Sequence, residues 1–151
     1  FKQINDTYGH LVGDALLSYL VDRLQHELRP EDCLVRLGGE EFAVLVTDMQ
    51  DQQAMALAER LRRSVVDAPF CVEVPGLGTP VAVSMTISLG VACQSHDDTE
   101  ALGQLMAEAD QALYAAKHAG RNMVVAYDAT TITTVTGSPC SPEAPKRGEE
   151  T

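Results

Sequence analysis

The sequence has no apolar run approaching the length of a membrane helix and no basic-then-apolar opening of the secretory type. It has no Cys-x-x-Cys pair and no internal repeat, and basic residues number 11 against 22 acidic ones. Each shortage removes a class of function. Without the apolar run there is no candidate spanning helix. With a net charge of −11, a polymeric nucleic acid is repelled by the surface as a whole. A small nucleotide is not excluded, because divalent ions and a few placed basic residues can hold one locally. Cys33, Cys71, Cys93 and Cys140 are too dispersed for structural zinc and fit reduced thiols in a cytoplasmic setting. Cys71 and Cys93 lie in apolar, strand-like stretches and are expected to be buried. The first residue is Phe1 rather than Met, so the chain reads as a piece excised from something longer.

What is present is one domain's worth of patterned sequence. Turn formers crowd residues 5–14, which reads as a loop. Leu16, Leu17, Leu20, Val21, Leu24 and Leu28 then recur at helical spacing up to Pro30. Leu34–Leu37 and Phe42–Val46 read as two strands of a hairpin turning at Gly38-Gly39. A second amphipathic helix is expected over Gln52–Val66, with Leu57, Leu61 and Val65 inward. Phe70–Val74 and a long β-branched run, Val81–Val91, follow as strands. A third helix over Glu100–His118 presents Leu102, Leu105, Met106, Ala109, Leu113 and Ala116 inward, with Gly120 as its C-cap and Met123–Tyr127 as a last strand. From Asp128 onward Thr, Ser, Pro, Glu and Gly dominate, and the 128–151 segment is expected to be disordered. Helices alternating with an antiparallel hairpin indicate an α+β fold, a sheet with helices packed on it.

Periodicity names no activity. The segment that carries chemistry is Arg36-Leu37-Gly38-Gly39-Glu40-Glu41-Phe42. Two glycines at a hairpin tip permit positive φ and remove both Cβ atoms, so a ligand can approach the backbone. Two carboxylates follow directly. Successive strand side chains point to opposite faces, so Glu40 and Glu41 address one point only if the tip is distorted. Read alone, the string is also satisfied by a solvated hairpin tip.

Around that string stand three further blocks: Phe1-Lys2-Gln3-Ile4-Asn5-Asp6-Thr7-Tyr8-Gly9-His10 with Gly13-Asp14, Ser88-Leu89-Gly90-Val91-Ala92, and Ala109-Asp110-Gln111-Ala112-Leu113-Tyr114-Ala115-Ala116-Lys117 with Gly120-Arg121-Asn122. In order and spacing, the four blocks resemble the catalytic domain of the GGDEF family of diguanylate cyclases, across residues 1–127 and with Glu at the signature's third position. The resemblance implies a nucleotide-cyclase, polymerase-palm-like (ferredoxin-like) fold with a central antiparallel sheet. It implies condensation of two GTP molecules into cyclic di-GMP, with two Mg²⁺ or Mn²⁺ ions per site and a homodimer in which each subunit supplies half the site.

Residue by residue, the resemblance makes Asn5 and Asp14 the guanine readers. A carboxylate accepts both donors of guanine's Watson–Crick edge, whereas adenine offers an acceptor at N1 and fits poorly. Glu40 becomes metal ligand and base for the 3′-hydroxyl, and Glu41 a second metal-associated carboxylate. Gly38 and Gly39 let backbone amides approach the triphosphate. Lys117 and Arg121, one helical turn apart and therefore on one side, contact the terminal phosphates. Their local reading is complementation of a helix C-terminus. Arg29 and Asp32 form an RxxD in the position of the family's product-inhibition site, with Arg60 as a secondary contact. Arg36 is either structural or product-contacting. His10 lacks a second ligand at metal spacing and reads as loop packing.

In this family a strand ending in Asp-x-Asp precedes the Phe-Lys pair, and the chain begins at that Phe. The expectation is therefore a domain lacking its first strand, inactive by itself, with an upstream sensory domain in a longer parent that can be membrane-anchored. The rival from a different class is a GGDEF-like sensor that binds GTP or cyclic di-GMP without catalysis.

Overall fold

The computed structural model describes residues 1–73, 78–94 and 102–128. The tail expected to be disordered thus lies, from residue 129, outside the described residues, as do the last residue of the expected strand Phe70–Val74, residues 75–77 and the expected start of the third helix.

The chain opens with α1 (Lys2–Tyr8) and α2 (His10–His26), separated by Gly9 at φ 85°. The loop expected over residues 5–14 is therefore helical. Asn5, Asp6 and Thr7 are poor helix formers in isolation, but Phe1 and Ile4 pack on the core beside α2, and tertiary burial overrides propensity. The hairpin follows as β1 (Cys33–Gly38) and β2 (Glu41–Leu45), then α3 (Asp51–Val66). Next come β3 (Phe70–Val72), β4 (Val81–Val83) and β5 (Leu89–Val91). The described chain ends with α4 (Leu102–His118) and β6 (Val124–Ala126).

The strands pair two by two: β1 with β2 and β3 with β4 antiparallel, β5 with β6 parallel. The expected α+β architecture is present, but the run Val81–Val91 is not one strand. Its two ends serve different partners, Phe70–Val72 and Val124–Ala126, and residues 84–88 cross between them.

The core lies between α2, α3 and the β3–β4 pair. It is built from Val12, Leu16, Leu17, Leu20, Leu24, Leu57, Leu61, Val65, Phe70, Val72 and Val83. Fully burying one such side chain contributes roughly 1.5–3 kcal/mol. Arg23 ties α2 to the turn after α3. Its guanidinium stands 3.5 Å from the Phe70 ring centroid and donates to the carbonyls of Ser64, Ala68 and Pro69.

Helix α4 lies against β5 and β6 through Ala112 and Ala116, both buried. Of the residues expected inward, Leu105, Ala109 and Leu113 are partly buried and Ala116 fully, while Leu102 and Met106 are exposed. Gly90 shows how close the approach is: a Cβ there would collide with Ala109 O and Leu113 N of the α4 backbone. Cys71 and Cys93 are exposed rather than buried. On β3 the neighbours Phe70 and Val72 take the inner face, which turns Cys71 outward.

Candidate active site

The signature hairpin is distorted at its tip. Pairing runs regularly from Cys33↔Leu45 to Arg36↔Phe42 and then shifts, so that Gly38 faces Glu41. Gly39 sits at φ 53°, a left-handed position that glycine fills without a Cβ penalty. Arg36 folds back over this turn and donates from Nε (3.0 Å) and Nη2 (2.7 Å) to the Gly39 carbonyl. Arg36 thus braces the turn. Glu40 and Glu41 are both exposed at the tip.

Helix α4 brings a cation to this tip. Lys117, in its last turn, places Nζ 3.1 Å from Glu41 Oε1. Arg121 does not lie one turn further along the same helix, as its spacing suggested. Helix α4 ends at His118, Gly120 turns the chain at φ 117°, and Arg121 follows in the left-handed region. Its N–H donates to Ala116 O at 3.0 Å, a six-to-one closure of the helix end. Among the described residues the basic side chains without a hydrogen bond or ion pair are Lys2, Arg29 and Arg121. The last two are residues for which the sequence suggested anionic ligands.

On the other side of the hairpin, Asp14, Leu17, Ser18, Val21 and Asp22 of α2 join Arg36 and Phe42 around an open cavity of about 540 Å³. Asp14 falls in the second turn of α2, not in a first turn where it would serve the helix dipole. Asn5 is brought next to it. Its Oδ1 is buried without a hydrogen-bond partner and packs on Gly13, where a Cβ would collide with it. Gly13 is thus required by the approach of α1 to α2. His10 is the first residue of α2 and is exposed.

The RxxD segment forms a tight turn after α2. Asp32 N–H donates to Arg29 O at 3.1 Å, and Asp32 Oδ2 accepts from Arg29 N–H at 2.9 Å. Asp32 Oδ1 is buried and unpaired. Arg60 on α3 is engaged with Glu27, donating from Nε to Oε2 at 2.9 Å and from Nη2 to the carbonyl at 2.7 Å.

A group that sequence reasoning did not single out is Glu59, Arg62, Asn122 and Ser88. Arg62 forks onto Glu59 and also donates to Asn122 Oδ1 at 2.7 Å, while Asn122 N–H donates to Ser88 Oγ at 3.1 Å. With Arg63 also bound, Glu59 has its pKa lowered to about 2, chiefly by the hydrogen bonds from Arg62 and Arg63. Only the presence of Ser88 and Asn122 inside recognisable blocks could have flagged the group.

As a metal site, the donor set is two adjacent carboxylates at the hairpin tip, and no larger cluster of His, Cys, Asp or Glu gathers among the described residues. Hard oxygen donors suit Mg²⁺, which takes one or two carboxylates and completes its shell with water and substrate phosphates. Glu40 and Glu41 fit that pattern. No helix among the described residues is long and apolar enough to cross a membrane.

The chain is similar to proteins of one family. A family model described as "Diguanylate cyclase, GGDEF domain" matches residues 1–123. The probable diguanylate cyclase DgcT of Escherichia coli is 42% identical over 128 residues, which is 85% of this chain and 27% of that protein. The chain spans between a quarter and a third of the length of the curated relatives it matches first. Among solved structures, the GGDEF domain of DgcB from Caulobacter crescentus in complex with c-di-GMP superposes with a TM-score of 0.73 at 29% identity, covering 85% of this chain and 70% of that one. The active GGEEF domain of a diguanylate cyclase from Vibrio cholerae gives 0.66 at 31% identity, covering 84% and 76%.

Proposed function

This chain belongs to the diguanylate cyclase GGDEF domain family, and on that premise we propose that the protein containing it condenses two GTP molecules into cyclic di-GMP and two pyrophosphates. The observation that carries the reading is the convergence of Glu41 and Lys117, which puts a carboxylate of the signature in contact with the lysine of the α4 block. A bare solvated hairpin has no need of the α4 terminus.

The guanine is read by Asn5 and Asp14, with the cavity between α2 and the hairpin beside them. Asp14 accepts from N1–H and the 2-amino group, which selects guanine over adenine. The triphosphate runs along Gly38 and Gly39, where no Cβ obstructs the backbone. Lys117 and Arg121 hold the terminal phosphates. Glu40 and Glu41 would hold the divalent ions, which when bound supply charge neutralisation at the phosphoryl oxygens.

Glu40 takes the proton of the 3′-hydroxyl as its oxygen bonds to the α-phosphorus of the GTP on the facing subunit. The bond from that phosphorus to the bridging oxygen breaks, and pyrophosphate leaves with the electron pair. Two such transfers close the ring. Each subunit presents one nucleotide, so the site is complete only in a homodimer. Placing the reactants in line supplies much of the rate. Product binding at Arg29 and Asp32, with Arg60 released from Glu27 as a further contact, would slow turnover.

The test is product analysis by mass spectrometry after incubation with GTP and Mg²⁺, using this chain and a version extended by its upstream sequence. Cyclic di-GMP is expected from the extended version and is abolished by Glu40→Ala or Glu41→Ala. A folded, dimeric extended version that binds GTP or cyclic di-GMP but makes no product overturns catalysis in favour of a sensor.

A further inference from the structure

Two consecutive side-chain-bearing residues, Arg121 and Asn122, stand in the left-handed region at φ 61° and 49°. Asn tolerates that conformation through its short polar side chain, but a long side chain such as that of Arg121 adopts it only when its surroundings impose it. The surroundings come from three elements. The end of α4 accepts the Arg121 N–H through Ala116 O at 3.0 Å. Ser88, just before β5, accepts the Asn122 N–H at 3.1 Å. Helix α3 reaches across with Arg62, whose Nη1 donates to Asn122 Oδ1 at 2.7 Å.

Arg62 is itself held. Its Nε and Nη2 fork onto the two Glu59 oxygens, both at 2.8 Å, and its side chain is only 16% exposed. A planar guanidinium committed on two nitrogens to a carboxylate presents the third in a fixed direction. The Arg121 side chain, by contrast, has no hydrogen bond or ion pair among the described residues, so the backbone alone determines where its charge begins.

We propose that Arg62 is a positioning residue for nucleotide binding: oriented by Glu59, it clamps Asn122 and so fixes the left-handed backbone from which the Arg121 guanidinium leaves the fold. The inference rests on the reading of Arg121 as a phosphate contact. Arg62 acts only through Asn122.

The experiment is titration calorimetry of this chain with GTP in Mg²⁺, with thermal unfolding measured alongside, for Arg62→Ala, Asn122→Gly and the double variant. Asn122→Gly leaves the left-handed turn accessible and Arg62 paired with Glu59 while deleting the clamped acceptor, so it carries the test should Arg62→Ala fold poorly. Each single variant is expected to weaken GTP binding roughly tenfold, the scale of one misplaced charge-assisted hydrogen bond. The double variant is expected to be no weaker than either, since both remove the same link. Unchanged affinity in folded Asn122→Gly, or effects that simply add, overturns the proposal. A role confined to holding the fold together lowers the melting temperature and the bound stoichiometry while leaving affinity intact, which also overturns it. Absence of GTP binding by the unsubstituted chain strikes instead at the nucleotide reading, and takes this inference with it.

Discussion

The ammonium of Lys117 lies 3.1 Å from Glu41 Oε1, joining the last turn of α4 to the first residue of β2 across 76 positions of sequence. Both side chains are substantially exposed, at 41% and 55%. Water screens such a pair, so it contributes at most about 1 kcal/mol to stability. Its placement therefore matters more than its strength.

Lys117→Met is accordingly expected to lower stability by less than about 1 kcal/mol. The same change is expected to weaken GTP binding at least ~10-fold, through loss of a charge-assisted phosphate contact. Thermal unfolding and calorimetric titration of one preparation check both halves. A large fall in melting temperature with unaltered affinity would assign Lys117 to the fold alone.

Gly90→Ala should destabilise the domain by roughly 1–3 kcal/mol or more, as overpacking does in a well-packed contact. The added methyl meets α4 backbone atoms, which cannot rotate away as a side-chain tip can. Gly103→Ala is the control. Nothing lies within 4 Å of a Cβ there, and the change is expected to be neutral or stabilising by up to ~1 kcal/mol. Denaturant midpoints for the two variants should move in different directions or by plainly different amounts.

Acid should find Glu59. Its folded pKa is depressed to about 2 from an ordinary 4.5. The stability it contributes is present above the unfolded value and is lost as pH falls from about 4.5 toward 2. Glu59→Gln is expected to show a shallower decline of melting temperature over that interval than the unsubstituted chain. Identical slopes would mean that Arg62 and Arg63 do not hold the carboxylate in solution.

Arg29→Ala is expected to raise the cyclic di-GMP concentration needed for half-inhibition by roughly tenfold or more, since a guanidinium pairing with an anionic ligand is lost. Progress curves of GTP turnover in the extended protein would then stay linear as product accumulates. Curvature identical to that of the unsubstituted protein would remove the RxxD turn from regulation.

The repeating features of the fold were legible in the sequence. The α3 face of Leu57, Leu61 and Val65 and the hairpin about Gly38-Gly39 follow from periodicity and turn chemistry, and both stand. Residues 5–14 were misread because turn formers dominate local propensity, while Phe1 and Ile4, which anchor α1, act through tertiary contact. Val81–Val91 was misread because β-branching marks strand but carries no record of a change of partner. The inward face of α4 was read correctly at Leu105, Ala109, Leu113 and Ala116, whereas Leu102 and Met106 near its start are exposed and Ala112, not named beforehand, is buried. Within the site, Glu40, Glu41, Lys117 and Asp14 were recognisable from motif residues. The Glu59–Arg62–Asn122 link was not, since it joins a pair on α3 to a residue 60 positions away that only folding brings to it.

The scarcity of unengaged cations has a kinetic side. Lys2, Arg29 and Arg121 are the basic side chains left without partners among the described residues, in a chain whose net charge is −11. At long range an approaching polyanion is repelled, and attraction begins only within a few ångströms of the site. Added salt, which shortens the screening length to about 8 Å at physiological ionic strength, should therefore hasten encounter before it weakens the bound state. A nucleotide whose charge is partly offset by a divalent ion meets a smaller barrier than the bare triphosphate, so under the proposed activity the metal complex is expected to associate faster.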